Sequence, residues 1–275
     1  MIHIEDLKFT YKKQAPLFSN LNLELSAGSI TGLLGKNGAG KTTLLKLIMG
    51  LIYPNQGSLE VMAHQPGKRQ PSYLKNVFLV PEEFYLPSVS IRKFIHANSG
   101  CYPNFDPALM SDLLTEFELS EDRLLHKVSY GQKKKFLISF ALATKCRLMV
   151  LDEPTNGLDI PSKSIFRKVM AGSLDENQLV IISTHQVKDV ENLIDKIIIL
   201  DQGKVIMQKD IQEISAELQF TNSSVPDGVN VLYSETVPGG YKVITPAING
   251  DSLIDIELLF NAITKGKKLF SHDSK

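Results

Sequence analysis

Gly35-Lys36-Asn37-Gly38-Ala39-Gly40-Lys41-Thr42 matches the spacing G-x-x-x-x-G-K-[ST], the pattern of a phosphate-cradling loop. Its glycines let the backbone curl so that successive N–H groups point inward, forming an anion nest at the start of a helix. Lys41 is expected to reach the β- and γ-phosphates of a nucleoside triphosphate, and the Thr42 hydroxyl to ligate Mg²⁺. The flanks supply the context the motif needs. A short apolar strand, Ser29 to Leu34, runs into Gly35, and Leu44, Leu45, Leu47 and Ile48 mark an amphipathic helix after the loop. A chance glycine-rich turn is the bland alternative, and eight matched positions between a strand and a helix outweigh it.

Working outward, Ile2, Ile4, Leu7, Phe9 and Tyr11, then Leu21, Leu23 and Leu25, alternate as antiparallel β-structure, closed by a turn at Ala27-Gly28. Gly50, Pro54 and Gly57 end the helix after the loop. From about residue 90 to 144 the pattern is helical, with Leu109, Leu113, Leu114 and Phe117 recurring on one face. Buried strands are expected near 148–151, 179–183 and 196–200. Helices fall between them, one opened by Asp159 and Pro161. Strands separated by helices imply a parallel, helix-covered sheet, hence an α/β fold.

Near Gln208 the character changes. Leu218 and Phe220, Val229, Val231 and Tyr233, and Tyr241, Val243 and Thr245 read as a small sheet. Its turns are placed at Pro226-Asp227-Gly228 and Pro238-Gly239-Gly240. A last helix carries Ile256, Leu259, Phe260 and Ile263 on one face, with Ser252 and Asp255 as a capping box. The domains expected are a core over 1–210, with a helical subdomain at about 84–146, and a small α+β appendage over 211–275. That appendage is expected to dock on the core or a partner through the apolar face of its helix and to be dispensable for nucleotide chemistry.

Composition excludes some classes. The 275 residues hold 30 Lys+Arg against 30 Asp+Glu, so there is no bulk basic field and no nucleic-acid partner is expected. Cys101 and Cys146 lack metal-ligand spacing and fit a reducing cytosol. The opening Met1-Ile2-His3-Ile4-Glu5-Asp6 lacks the basic-then-apolar pattern of a secretory leader. Aliphatic runs such as Ile197-Ile198-Ile199-Leu200 are strand-length, far short of the roughly 20 apolar residues that span a bilayer.

The second chemical signal is Leu148-Met149-Val150-Leu151-Asp152-Glu153. An aliphatic strand delivering two adjacent carboxylates is costly as packing and sensible beside Mg·ATP. Asp152 would hold the metal, through water, and Glu153 would polarise the attacking water as general base.

With these motifs in order, the chain resembles the ABC ATPases over roughly residues 1–210. Val128-Ser129-Tyr130-Gly131-Gln132 stands where that family has its Leu-Ser-Gly-Gly-Gln signature. Asn156-Gly157-Leu158-Asp159 resembles the segment that crosses its dimer interface, and Ser183-Thr184-His185 its switch histidine. Tyr11 is placed like the aromatic residue that stacks on adenine.

The resemblance implies a P-loop NTPase core with an antiparallel β subdomain and a helical subdomain, and ATP with Mg²⁺ as cofactors. Nucleotide would be held by Tyr11, Gly35, Asn37, Gly38, Ala39, Gly40, Lys41, Thr42 and Thr43. Ser129, Gly131, Gln132 and Asp159 would join from the facing subunit. Glu153, His185 and Lys41 would be catalytic, and Thr42, Asp152 and Glu82 would face the metal. The implied partners are a second ATPase subunit, identical or paralogous, and a separate transmembrane permease. The implied place is the cytoplasmic face of the membrane.

Two positions depart from the family pattern. Tyr130 replaces a glycine of the signature, and Glu82, after Val80-Pro81, stands where relatives carry glutamine; both resemble exporter-type bacterial ATPases. A soluble ABC ATPase of translation, DNA repair or chromosome maintenance is the alternative, but tandem motifs, heptads and zinc spacings are missing from the sequence. A nucleotide-binding regulator without turnover is disfavoured by Lys41, Asp152, Glu153 and His185. Lys133-Lys134-Lys135 reads first as a solvated face, then as part of the field around ATP, and last as a nucleic-acid patch. His3, His64, His96, His126 and His272 read as surface or packing residues, and Glu82-Glu83 alternatively as a solvated acidic loop. Tyr102, Phe105 and Asp106 are expected to shape the helical subdomain.

Overall fold

The computed structural model describes residues 1–226, 230–247 and 253–270. The chain opens with β1 (Ile2–Phe9) and β2 (Phe18–Leu25), whose apolar residues alternate inward, followed by β3 (Ser29–Leu34), buried almost throughout. The glycine-rich loop leads into α1 (Lys41–Ile48). Then come β4 (Gln56–Val61), the single turn α2 (Pro71–Leu74) and β5 (Val77–Val80). The helical region comprises α3 (Ile91–Asn98), α4 (Pro107–Glu116) and α5 (Tyr130–Ala143). Strands and helices then alternate through β6 (Leu148–Asp152), α6 (Ile160–Ser173), β7 (Leu179–Thr184), β8 (Lys196–Asp201) and β9 (Lys204–Asp210). The chain continues with α7 (Ile211–Glu217), β10 (Leu218–Ser223), β11 (Tyr233–Val237), β12 (Gly240–Pro246) and α8 (Ile256–Thr264).

The central sheet has the order β5-β6-β7-β3-β8-β9. Its first five strands are parallel, and β9 closes the edge antiparallel to β8. The parallel part agrees with the sequence reading. The antiparallel edge strand and β5 were not anticipated, because four apolar residues and a polar-rich strand carry little periodicity. A second sheet, β2-β1-β4, is antiparallel and packs its apolar face over α1. β4 was also missed, since only Leu59 and Val61 of its six residues are buried.

The helical region is anchored by α5, whose residues from Phe136 to Ala143 are all buried. Phe94, Tyr102 and Phe105 close on Phe140 at ring distances of 5.5, 6.0 and 5.4 Å, and Asp106 caps α4 by accepting from the Leu109 N–H at 2.9 Å. Those residues thus shape the subdomain as expected.

The third sheet, β10-β12-β11, is antiparallel. Ile214, Leu218, Ile244 and Leu259 belong to the same continuous apolar cluster as Val187, Ile197 and Ile199 of the central layer. α8 inserts Ile256, Leu258, Leu259 and Ala262, and Phe260 and Ile263 pack half-buried against the same cluster, so the expected residues dock on the core and Leu258 and Ala262 widen the face. Asp255 is itself the N-cap, accepting from the Leu258 N–H at 2.9 Å. Ser252, Val229, the turn at Asp227-Gly228 and His272 lie outside the described residues.

Candidate active site

The phosphate loop follows directly from its residues. Gly38 and Gly40 adopt φ of 82° and 108°, a region closed to most side chains, and Gly40 is the N-cap of α1. With no side chain capping this helix, its first N–H groups face the cleft mouth. Lys41 is buried and donates to the carbonyls of Gly35 at 2.7 Å and Lys36 at 3.4 Å. Burial lowers its pKa from the ordinary lysine value, and the nearby Glu153, Asp152 and Glu82 carboxylates pull the other way. An ammonium bonded only to two neutral carbonyls keeps its charge for an incoming phosphate, whose repulsion by the three carboxylates a bound cation would relieve.

β6 carries Asp152 and Glu153 to the same place, beside β7, because Asp152 pairs with Ser183 in register. Asp152 accepts from the Thr42 hydroxyl at 2.9 Å and from the Ser183 hydroxyl. Ser183 was quoted in the sequence only as a neighbour of His185; this bond gives it a role. Glu153 is 5% exposed and sits at φ 46°, the left-handed region. Its N–H donates to the Ser183 carbonyl at 2.9 Å, and its carboxylate meets His185 Nδ1 at 2.8 Å. The His185 side chain remains 46% exposed, and it faces the cavity on the α8 side of the phosphate loop.

Lys41, Thr42, Asp152 and Glu153 line one open cleft of about 670 Å³, which also receives Tyr11, Asn37, Gly38, Gly40, Thr43 and Glu82, whereas His185 lines the adjoining cavity on the other side of Lys36 and Asn37. That volume falls in the range of small-ligand sites. Tyr11 stands at the mouth, its ring edge-on to Phe9 at 4.8 Å and its hydroxyl 3.0 Å from Thr43 Oγ1. Gln14, Ala15, Pro16 and Leu17 complete the wall. Nothing in their residue types marked them beforehand.

Ser129, Gly131, Gln132 and Asp159 do not line this cleft. Ser129 caps α5 in a reciprocal capping box with Gln132, at 3.2 and 3.1 Å. Gly131 is required by contact, because a Cβ there would lie 2.6 Å from the Gly157 carbonyl. Exposed Asp159 caps α6, and the Ser162 hydroxyl that donates to it lowers its pKa.

Glu82 accepts from Asn156 Nδ2 at 3.2 Å, and Asn156 in turn accepts from Gln186 at 3.0 Å. This chain of amides joins the Glu82 loop to the loop after His185. Tyr130 is 43% exposed, stacks on Phe84 at 5.3 Å and donates to the Glu82 carbonyl. The phenol therefore fits by lying across its own subunit.

The reading of Lys133-Lys134-Lys135 as a solvated face fails at its centre. Lys134 is fully buried, because α5 enters the core there, and burial lowers its pKa to about 8 against the pull of Glu82, Asp152 and Glu153. A separate cavity of about 580 Å³ lies between α8 and the phosphate loop, with Phe260 and Asn261 facing Lys36, Asn37 and His185.

A glycine-rich phosphate loop at a helix start, a hydroxyl and carboxylate side by side, and a glutamate held by histidine together define a P-loop nucleotide site. The chain belongs to the ABC transporter family, whose model matches residues 18–156. It is 24% identical to the ABC transporter ATP-binding protein YtrB of Bacillus subtilis (strain 168), over 92% of this chain and 94% of that one. It is 32% identical to the molybdate import ATP-binding protein MolC of Haemophilus influenzae, over 73% of this chain and 79% of that one. A dimeric ATP-binding cassette, solved in a post-hydrolysis state with ADP and phosphate, has the same fold. The TM-score is 0.64 at 20% identity, covering 77% of this chain and 99% of that one. The protein is thus an ATP-binding, ATP-hydrolysing ABC subunit of the transporter class. Among the described residues no helix is long and apolar enough to cross a membrane.

Proposed function

We propose that two copies of this chain, or one copy and a paralogue, close around ATP and hydrolyse it to drive a separate membrane-spanning permease. The observation that carries the reading is the convergence of Lys41, Thr42, Asp152 and Glu153 on one cleft, with His185 bonded to Glu153 from the adjoining cavity and Ser129 and Gly131 outside the cleft. Lys41 and the N-terminus of α1 bind the phosphates. Glu153 accepts the proton of the attacking water, and His185 holds the carboxylate in place while meeting the γ-phosphate. The hydroxyl of Thr42 and the carboxylates of Asp152 and Glu82 form an all-oxygen donor set that suits Mg²⁺, which when bound would neutralise phosphate charge.

Ser129, Gly131 and Gln132, at the start of α5, meet the partner's phosphates in this arrangement, and Asp159 joins them from the exposed cap of α6. Residues 211–275 form an accessory unit to the 1–210 ATPase core. Export is the direction we assign, on Tyr130 and Glu82. Efflux against uptake in vesicles carrying the permease tests that assignment.

The test of the chemistry is Glu153→Gln. General-base positioning is worth about 10²–10⁴-fold, so hydrolysis should slow by at least about a hundredfold while ATP still binds. Turnover at the wild-type rate removes Glu153 as the base.

A further inference from the structure

Lys134 has no part in the chemistry just described and does not line the cleft, yet among the described residues it is the most deeply buried cation, at 0% exposure. Its ammonium donates to three backbone carbonyls: Pro81 at 3.2 Å, Glu82 at 3.2 Å and Glu153 at 3.4 Å. The rings of Phe84 and Tyr130 cover it, with centroids 5.3 and 5.7 Å away. Burying an ammonium is expensive unless all its protons are satisfied, and here three donors meet three acceptors. A structural lysine could be met by any carbonyls. These three belong to the two segments that present Glu82 and Glu153 to the cleft.

The contact with Glu153 has a specific consequence. At φ 46° this residue holds a backbone conformation that disfavours a side chain, and such strain persists only where the surroundings over-determine it. Its N–H is tied to Ser183, its carboxylate to His185, and its carbonyl to Lys134 and, at 3.3 Å, to the Asn156 N–H. Without Lys134 the carbonyl keeps only the bond from its own turn, so the peptide plane after Glu153 can tilt and the carboxylate swing with it.

We infer that Lys134 is a positioning residue for hydrolysis: from beneath the site it clamps the Glu153 turn to the Glu82 loop and so fixes the direction of the Glu153 carboxylate. This rests on the reading of Glu153 as the base. Because α5 carries both Ser129 at its exposed cap and Lys134 in the core, the clamp also ties the base to the element offered to the partner.

The experiment uses the full chain and compares wild type, Glu153→Gln, Lys134→Gln and Lys134→Met. Equilibrium titration with Mg·ATP gives Kd, phosphate release gives kcat, and thermal unfolding gives Tm. A misplacement of about 1 Å in a reacting group costs on the order of 10²-fold, so Lys134→Met should lose about that much kcat with Kd for ATP unchanged. Lys134→Gln keeps two of the three N–H donors and should fall between, by about tenfold. Should Lys134→Met fail to fold, Lys134→Gln carries the test alone.

A wild-type kcat in either folded variant overturns the inference. So does a loss of kcat matched by an equal loss of ATP affinity, which marks a merely structural residue. If Glu153→Gln abolishes turnover while the Lys134 variants match wild type, only this inference fails. If Glu153→Gln itself turns over normally, the proposed function fails first.

Discussion

Lys41 and Cys146 are both buried, and their environments predict opposite chemistry. Lys41 bonds only to main-chain carbonyls of its own loop, so its charge is available to phosphate. Replacing it by alanine removes a charge-assisted contact of about 1.5–3 kcal/mol, and ATP affinity should fall by roughly ten- to a hundredfold in equilibrium titration. Unchanged affinity would remove Lys41 from the site. Cys146 lies under β6, where burial raises its thiol pKa to about 11, while Cys101 is exposed. A thiol reagent at pH 8 should therefore label one cysteine of the native chain and two in denaturant, because the thiolate is the reactive form.

At this scale the sequence was most informative where chemistry forces the residue type. Lys41 and Thr42 follow from spacing alone, and Asp152 and Glu153 from two carboxylates at the end of an aliphatic strand downstream of that loop. Lys134 was illegible for a physical reason. A run of three lysines looks solvated, and only the path of α5 into the core, set by Phe136 and Phe140 from other contacts, buries the middle one.

Elements were legible in proportion to their burial. β6, β7 and β8 each carry an unbroken run of four apolar residues, as expected for strands covered on both faces, and with β3, placed by the glycine-rich loop after it, they were found within a residue or so of their limits. β4 and β9 lie at edges, where polar residues dilute the pattern, and register is decided by partners distant in sequence. The docking face of α8 was read too narrowly, without Leu258 and Ala262, because β12 and the loop after His185, which cover the helix, are distant in sequence.

The cap of α4 offers a test at this scale. Asp106 accepts from Leu109, and its own N–H donates to the Ala143 carbonyl at the end of α5. Asp106→Ala keeps the second bond and loses the first, so stability should fall by about 1 kcal/mol in denaturant unfolding while Kd for ATP stays the same. A changed Kd with unchanged stability would contradict the separation of helical region and cleft.

For the whole molecule, the accessory unit and the core share one apolar cluster, while every residue lining the nucleotide cleft precedes residue 154. A cut at Gln208 would split β9, so truncation belongs after Asp210. The truncated chain should bind ATP and hydrolyse it, but with Tm lower by on the order of 10 °C, because the apolar surface under α8 is bared. A folded truncation with no basal turnover would mean that α8, through the cavity it shares with Lys36 and His185, takes part in the chemistry.

The central claim is that each catalytic site is divided between two subunits. The proposal rests on the placement of Ser129 and Gly131 at a helix start, outside their own subunit's cleft. ATP then links the subunits, so nucleotide binding and association are coupled by mass action. The direct measurement is sedimentation of the full chain with Mg·ATP across a range of protein concentrations, beside an ATPase assay on the same samples. The Glu153→Gln variant should shift from monomer to dimer as ATP is added. Wild-type specific activity should rise with protein concentration, and Ser129→Arg should abolish both effects while still binding ATP. Constant specific activity from a species that stays monomeric at saturating ATP would contradict the divided site.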